Sequence, residues 1–384
     1  MKITAHRAFV VSLPTRRIHN WASKMKAPIG QHYILRLETD EGVTGWGEAP
    51  ALATWGGPHG MYFGETIQTV DHVIRDYLFP VLEGQDPCAI GGAHRLMDQA
   101  IKGHPYAKAA VDLALHDIAG KAAGVPVYQL LGGKLRDSIP ICHSLGIMES
   151  QAALSEAEAA CAEGVATVKC KTGLDPRRDV ALVRTLRERL GPDVAIRVDA
   201  NEGYPTPWEA ARHTREMEAY NILLHEQPVM GFEALAEVKR LVTTPIMADE
   251  SAWTTQDILR LRDMRAADLI SLYYSKPGGL YRARQVADVA KACGFTCDIG
   301  GSIEMGIGVA ANLHLGVATE ILACASVCPV PNPDGEGPVK MAGVYYLDDI
   351  IRTPLRYEKG SLFVPEGSGL GVEVDERKLA KYAV

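Results

Sequence analysis

The chain reads TVKCK at 167–171, AIRVD at 195–199, ILLHE at 222–226 and IMAD at 246–249. Each of these mainly apolar runs ends in a charged residue, and successive final residues lie 23 to 28 positions apart. This spacing holds one short strand and one helix, and helical patterns such as SQAALSEAEAACAEG fill the gaps. Strands that alternate with helices predict a parallel sheet with right-handed crossovers.

The same strand-helix unit repeats along most of the chain. Further runs at 139–143, 268–273, 296–299 and 323–327 bring the number of predicted strands to eight. Eight such units predict a (β/α)8 barrel, the TIM-barrel fold of the α/β class. The first 125 residues differ, because strand patterns are followed there by helical ones and predict an α+β domain. The segment 344–384 shows short strand and turn patterns, and we expect it to return to that first domain.

Composition disfavours several kinds of partner. The chain of 384 residues carries 40 basic and 47 acidic side chains, and its net charge of −7 disfavours binding to nucleic-acid phosphates. No run of about 18 apolar residues predicts a membrane span, and the N-terminus lacks the pattern of a secretory signal. The eight cysteines form no CxxC pair, so we expect them to be reduced in a cytoplasmic protein.

Three acidic residues end consecutive runs and should meet in space. The active site of a barrel lies at the carboxyl ends of its strands, so Asp199, Glu226 and Asp249 are predicted neighbours. Carboxylates this close raise one another's pKa, and a hard divalent cation removes their repulsion. Oxygen ligands alone favour Mg²⁺ over zinc. The alternative, that each acid caps the following helix, is weaker because three acids stand in register.

Two lysines lie one strand-helix unit before the first of the three acids. Lys169 and Lys171 are two residues apart on a strand, so both side chains should point into the barrel mouth. Each charge disfavours the other, which is expected to lower at least one pKa and to produce a general base at neutral pH. A solvated surface pair is the alternative reading. Asn201 and Glu250 are expected to support the site from behind the metal ligands, Glu250 by pairing with a lysine.

These motifs resemble the enolase superfamily, in the muconate-lactonizing branch of the mandelate racemase and muconate lactonizing enzyme family. The resemblance covers the whole chain and rests, in order, on GWGE (45–48), YAKAAVDLALHDIAGKAAG, VKCK, VDANEGY, HEQP, ADES and the pair Gly278–Gly279. It implies a modified (β/α)8 TIM barrel at 126–343 with an N-terminal α+β capping domain at 1–125, completed by residues 344–384.

The resemblance also implies a reaction. Mg²⁺ is expected on the three acids, and Lys171 is expected to take a proton from carbon next to a carboxylate while Lys169 tunes its basicity. The product of this step is an enediolate intermediate. Isomerisation, of the cycloisomerase or racemase type, or elimination would then complete the reaction on a small carboxylic acid.

The chain departs from this pattern at the sixth strand. The branch carries a second catalytic lysine five residues before the paired glycines, and that position is Tyr273 here. Lys276 is the nearest lysine, and a bulge in the strand would bring it into the site. Tyr273 is suited to act as an acid, but a phenol with a pKa near about 10 is a poor base. Gly300 stands near the position where the mandelate racemase branch has a histidine.

The residues leave the chemistry after proton abstraction open. Lys171 as the only base fits an elimination or a cycloisomerisation. A racemase or epimerase needs Lys276 or Tyr273 as a second proton carrier on the opposite face. A metal-free barrel enzyme that forms a Schiff base on a lysine, as some aldolases do, is the alternative from another class, and the three aligned carboxylates argue against it.

Two loops, 15–30 and 49–64, are expected to close over the barrel and to select the substrate. Trp21, Trp55 and Tyr273 are the predicted substrate contacts, and Tyr62 adds to the aromatic surface of the second loop. Aromatic surface suits a ring or a cationic group. By the same resemblance we expect a homo-oligomer.

Overall fold

An antiparallel sheet and a group of helices form the N-terminal part of the chain. The computed structural model describes residues 1–22, 29–60, 64–335 and 337–384, with the backbone alone at 58 and 60. The sheet has the order β1 (Ile3–Ser12), β2 (Gln31–Thr39) and β3 (Thr44–Ala49). The helices are α1 (Gly57–Gly60), α2 (Ile67–Val73), α3 (Phe79–Leu82), α4 (Ile90–Ala100), α5 (Pro105–Ala123) and α6 (Val127–Leu130), and a π-helical stretch, Ile74–Leu78, joins α2 to α3.

Helix α5 is the central element of this part. It starts at Pro105, whose fixed φ suits a first helical turn, and ends before Gly124, which has a left-handed φ of 69°. Strand β3 lies directly on α5, because a Cβ at Gly45 or Gly47 would fall within about 2 Å of backbone oxygens of α5. The glycines of the GWGE motif therefore permit this close packing.

Seven parallel strands form the wall of the barrel, in the order in which they occur in the chain. After β4 (Ser138–Pro140) they are β5 (Cys142–Leu145), β6 (Thr167–Lys171), β7 (Ala195–Asp199), β8 (His225–Glu226), β9 (Ile246–Ala248), β10 (Leu269–Leu272) and β11 (Thr296–Ile299). The helices outside them are α7 (Ser150–Ala162), α8 (Pro176–Leu190), α9 (Pro207–Glu218), α10 (Phe232–Leu241), α11 (Thr255–Met264), α12 (Leu280–Ala292) and α13 (Gly306–Ala318). The predicted α/β barrel is confirmed.

Two predicted strands differ in the structure. The run 139–143 divides, because β4 pairs with a C-terminal strand while β5 pairs with β6. The run 323–327 takes the eighth position without forming a regular strand. The amides of Ala323 and Cys324 both donate to the carbonyl of Cys297, which breaks the ladder. Hydrogen bonds from Val327 N to Ile299 O and from Cys142 N to Ser326 O still close the ring.

The C-terminal segment returns to both parts. β12 (Tyr357–Glu358) and β13 (Ser361–Phe363) join β4 in a small antiparallel sheet, and α14 (Glu376–Lys381) follows. The last residue donates from its backbone amide to Val10 of β1 at 3.0 Å. The predicted return to the first domain is confirmed, whereas the boundaries at 125 and 343 stay a prediction. Among the described residues, no helix has the length and apolar character needed to span a membrane.

Glu48 of β3 joins the capping part to the barrel. Its fully buried carboxylate accepts the backbone amides of Met305 and Gly308 at 2.7 Å each, at the N-terminus of α13. The ring of His32 holds the same carboxylate at 2.6 Å. A negative charge at a helix N-terminus satisfies free amides and complements the helix dipole. Glu48 thereby fixes the loop between β11 and α13, which lines the cavity described below.

Candidate active site

The ends of β6, β7 and β8 bring the predicted lysines and two of the acids into one buried network. Lys171 pairs in register with Asp199, and Asp199 with Glu226. Lys171 Nζ lies 2.6 Å from Asp199 Oδ2, and Lys169 Nζ lies 2.8 Å from the same oxygen. Lys169 also donates to Glu226 Oε1 at 2.7 Å. The prediction that these four side chains meet is confirmed by their contacts.

The third acid carries a different lysine. Lys276 Nζ donates to Asp249 Oδ1 at 2.9 Å and to the backbone oxygens of Asp249 and Ser271 at 2.9 and 2.7 Å. No bulge brings it there, because β10 and β11 pair in unbroken register from Leu269 to Leu272. The lysine follows the strand in a tight turn, and its side chain folds back toward Asp249.

The charges in this network oppose one sequence-based expectation. Burial by itself lowers the pKa of Lys169, but the charges of Asp199 and Glu226 outweigh burial and raise it. The lowering expected for at least one of the two lysines therefore does not occur at Lys169. Burial would raise the pKa of Asp199, but Lys169 and Lys171 hold it well below its usual range. Burial and the charge of Asp199 raise the pKa of Glu226 to about 7.

The network contains more acids than cations. Six carboxyl side chains interact with one another or with the same cations, and these are Asp199, Glu202, Glu226, Asp249, Glu250 and Asp298. The cationic side chains among them are four, Lys169, Lys171, Arg197 and Lys276. Burial raises the pKa of Glu202 to about 8 and that of Glu250 well above its usual value, so both favour the neutral form and the six carboxyl groups do not add a net charge of −2.

The three predicted ligands are not yet arranged as a ligand set. Among the residues that the structure describes, no three His, Cys, Asp or Glu side chains are placed to share a metal ion. Lys169 bridges Asp199 and Glu226, and Lys276 occupies Asp249. The donor chemistry fits a divalent cation, because all three side chains are buried and offer only oxygen ligands. Their role as metal ligands stays a prediction.

Asn201 and Glu250 support the site in a different way from that expected. Glu250 contacts neither Lys169 nor Lys171, which corrects the predicted ion pair. Its Oε1 accepts from Trp55 Nε1 and from Asn201 Nδ2 at 2.9 Å each. Burial and the charge of Asp249 raise the pKa of Glu250 well above its usual value, which suits an acid that has no cation beside it. Asn201 Oδ1 in turn accepts from Lys171 Nζ at 2.6 Å and so orients that lysine.

A small cavity lies over the network. The residues that line it include all three predicted substrate contacts, Trp21, Trp55 and Tyr273, together with Lys169, Lys171, Asn201 and Asp249. Its free space is about 40 Å³. Tyr62, which belongs to the loop 49–64 that is predicted to select the substrate, lies outside the described residues.

Lys171 and Tyr273 stand on opposite walls of this cavity. β6 and β10 are four positions apart in a ring of eight, and the two residues lie at the carboxyl end of the second and sixth positions. Among the described lining residues, Lys169 and Lys171 are the only lysines. Lys276 lies behind Tyr273, with Nζ 4.2 Å from the centre of its ring. One wall therefore presents basic side chains and the other a phenol.

Comparison with known proteins agrees with this architecture. The mandelate racemase / muconate lactonizing enzyme N-terminal domain matches residues 9–132, and the enolase C-terminal domain-like family matches residues 152–378. The chain belongs to the mandelate racemase and muconate lactonizing enzyme family of the enolase superfamily. It is therefore an enolase-superfamily enzyme, an isomerase or lyase, and a Schiff-base aldolase finds no support.

Relatives of known activity match over nearly full length. The N-succinyl-L-Arg/Lys racemase of Bacillus cereus is 31% identical over 388 residues, covering 100% of this chain and 98% of that protein. Muconate cycloisomerase 1 of Rhodococcus opacus is 34% identical, covering 98% and 96%. The crystal structure of the Bacillus cereus racemase superposes with a TM-score of 0.90 at 31% identity, covering 100% and 98% of the two chains.

Tyr273 and Gly300 form a matched pair in this member of the family. A Cβ added to Gly300 would lie 2.0 Å from the Tyr273 ring and 2.5 Å from Ser271 Oγ. Position 273 does not carry the lysine, and position 300 does not carry the histidine, that the resemblance suggests. The glycine makes room for the phenol, and both line or adjoin the same wall of the cavity.

Gly300→Ala should therefore destabilise the enzyme and displace Tyr273. Overpacking of this kind costs about 1–3 kcal/mol of the free energy of unfolding, measured by urea denaturation. The double variant with Tyr273→Ala should lose much less than the sum of the single changes, because the ring that clashes is gone. Additive losses would show that the two residues are not coupled.

Sequence reasoning missed several residues of the site. Arg197 is fully buried inside the barrel and joins Glu226 to Asp298 with bonds of 2.7 and 2.6 Å. Ser271 donates to Asp298 at 2.7 Å. Arg197 could have been predicted from AIRVD, because it lies two residues before Asp199 and alternate residues share one face of β7. Glu202 carried no comparable pattern, because its position depends on a left-handed φ of 64°.

Proposed function

We propose that this enzyme removes a proton from the carbon next to the carboxylate of a small acid, with Lys171 as its single base, in a Mg²⁺-dependent reaction. The observation that carries the proposal is the asymmetry of the cavity, with Lys171 on one wall and Tyr273 on the other. The names of the relatives, which include racemases, epimerases and cycloisomerases, support the class of reaction.

Asp199, Glu226 and Asp249 would hold the metal. A divalent cation bound there would draw negative charge onto the substrate carboxylate, and an oxygen-only donor set favours Mg²⁺. Lys171 is the group positioned to accept the proton, because it lines the cavity and Asn201 fixes the direction of its side chain. A base of this kind contributes about 10²–10⁴-fold to the rate.

Tyr273 is a hydrogen-bond donor rather than a second base, and its hydroxyl donates to Asp249 Oδ2 at 3.3 Å. Burial, with the charges of Asp249 and Glu226, raises its pKa well above 10, so the phenol keeps its proton. We infer that the reaction ends on the side of Lys171 or by loss of a leaving group, as in a cycloisomerisation or an elimination. A cytoplasmic location and a homo-oligomeric assembly stay predictions.

Proton exchange in D₂O should occur from one enantiomer only and should not produce the other. Proton NMR would follow the α-proton of hydroxy acids, amino-acid derivatives, betaines and unsaturated diacids incubated with enzyme and Mg²⁺. Tyr273→Lys supplies the lysine that the muconate-lactonizing branch has, and it should add exchange from the second enantiomer. Interconversion of enantiomers by the unaltered enzyme would contradict the single-base proposal.

A further inference from the structure

His19 projects a fixed hydrogen-bond donor into the cavity. It is 7% exposed and lines the cavity together with Ser144 and Tyr345. Arg17 Nη1 lies 2.9 Å from His19 Nδ1. A guanidinium only donates, so Nδ1 must accept and the ring proton must be on Nε2. In a doubly protonated ring, the Nδ1 proton would face the N–H donor of Arg17.

Arg17 is held firmly in this role. Its guanidinium donates to the carboxylate of Glu156 through Nε at 2.8 Å and through Nη2 at 2.6 Å. Nη2 also donates to the backbone oxygen of Ser144 at 3.1 Å. Burial, Arg17 and Lys171 together lower the pKa of His19 well below its usual value, which agrees with a neutral ring. The direction and tautomer of His19 are therefore set before any ligand binds.

Two polar atoms at this corner of the cavity make no well-formed hydrogen bond with the described residues. Nε2 of His19 has no partner among them, and Ser144 Oγ is buried with only a weaker interaction with the hydroxyl of Tyr345. Ser144 is on β5 and pairs in register with Lys169 of β6. The corner therefore adjoins the wall that carries Lys171. Buried polar atoms are normally satisfied, and a ligand is one way to satisfy them.

We propose that His19 and Ser144 bind a hydroxyl group of the substrate. The His19 N–H donates to the substrate oxygen, and the substrate O–H donates to Ser144 Oγ. A hydroxyl both accepts and donates, so it satisfies both atoms, which an apolar group cannot do. The substrate class is thus a small hydroxy acid whose hydroxyl lies on the side of Lys171. This assignment rests on the proposed function for the identity of the cavity.

A ligand series tests the assignment by binding alone. The probes are butanoate and its 2-, 3- and 4-hydroxy derivatives, titrated with Mg²⁺ and followed by the total tryptophan fluorescence, to which the cavity residues Trp21 and Trp55 contribute. Titrations in the Lys171→Met protein exclude turnover. At least one hydroxybutanoate should bind about three- to tenfold more tightly than butanoate, the range of a net neutral hydrogen bond.

His19→Phe should remove this preference and leave the affinity for butanoate unchanged. His19→Gln, which keeps an N–H donor, should retain part of it, and His72→Phe on the exposed face of α2 serves as the matched control. The proposal is overturned if no hydroxybutanoate binds, if none is preferred, or if the preference survives in His19→Phe. An equal loss of butanoate affinity would indicate a purely structural role. Proton exchange that persists in Lys171→Met would refute the proposed function and leave this binding result standing.

Discussion

Lys171→Met should lower the rate of α-proton exchange by about 10²–10⁴-fold, the contribution of a positioned general base. Methionine keeps most of the side-chain length and removes the amine. Lys171 is the more exposed lysine of the pair, at 11% against 4% for Lys169, and it lines the cavity where a substrate must lie. The measurement is loss of the α-proton NMR signal in D₂O with Mg²⁺ present.

The loss should be chemical rather than structural. The ammonium of Lys171 contacts Asp199, Asn201 and the ring of Trp21, and Asp199 keeps Lys169 as a partner in the variant, so the thermal unfolding midpoint should fall only modestly. Lys291→Met is the matched control, because that lysine is 53% exposed on α12 and pairs with Glu320. Its exchange rate should equal that of the unaltered enzyme. Retention of exchange within tenfold in Lys171→Met would mean that another group is the base.

The strand ends were predictable because their signals are periodic. Lys169 and Lys171 share a face at a spacing of two, and the acids recur at the spacing of one strand-helix unit. Both periods survive folding unchanged, since parallel strands in register bring equivalent positions together. The fold, the meeting of both lysines with Asp199 and the meeting of Lys169 with Glu226 followed from these periods.

Other features depend on geometry that has no period. Glu250 meets Trp55 because a capping loop descends over β9, and no spacing in the sequence encodes that approach. Lys276 reaches Asp249 through a turn, not through the bulge that sequence reasoning required. The direction of His19 is set by Arg17, and Arg17 is set by Glu156 of α7, more than a hundred residues away. Contacts of this kind become visible only in three dimensions.

The charges of the site were likewise predictable only in part. The acids were predicted to be a metal-binding set, and the pKa of at least one of the two lysines was expected to be lowered. The carboxylates decide the outcome at Lys169, because they stabilise its buried ammonium more than burial and one like charge destabilise it. The number of unlike neighbours within a few ångströms is a property of the folded site.

Removal of divalent cations should abolish proton exchange, and added Mg²⁺ should restore it. Without Mg²⁺, the substrate carboxylate would lie beside Asp199, Glu226 and Asp249, whose lysine partners are already bound to these acids. An anion placed there is disfavoured, and the charge that develops on proton removal would have no counter-ion. Exchange after chelation is measured by NMR in D₂O, as for Lys171→Met.

Stability gives a second readout that needs no substrate. A cation that binds only the folded state adds about 2.7 kcal/mol to the free energy of unfolding at one hundred times its Kd. Glu226→Gln removes a charged ligand and should reduce this gain together with the exchange rate. Glu373→Gln is the control, because Glu373 is 66% exposed and pairs with Arg352 far from the network. The prediction is wrong if Mg²⁺ stabilises both variants equally and exchange survives chelation. The metal would then bind elsewhere, and protons would balance the two carboxyl groups that exceed the number of cations.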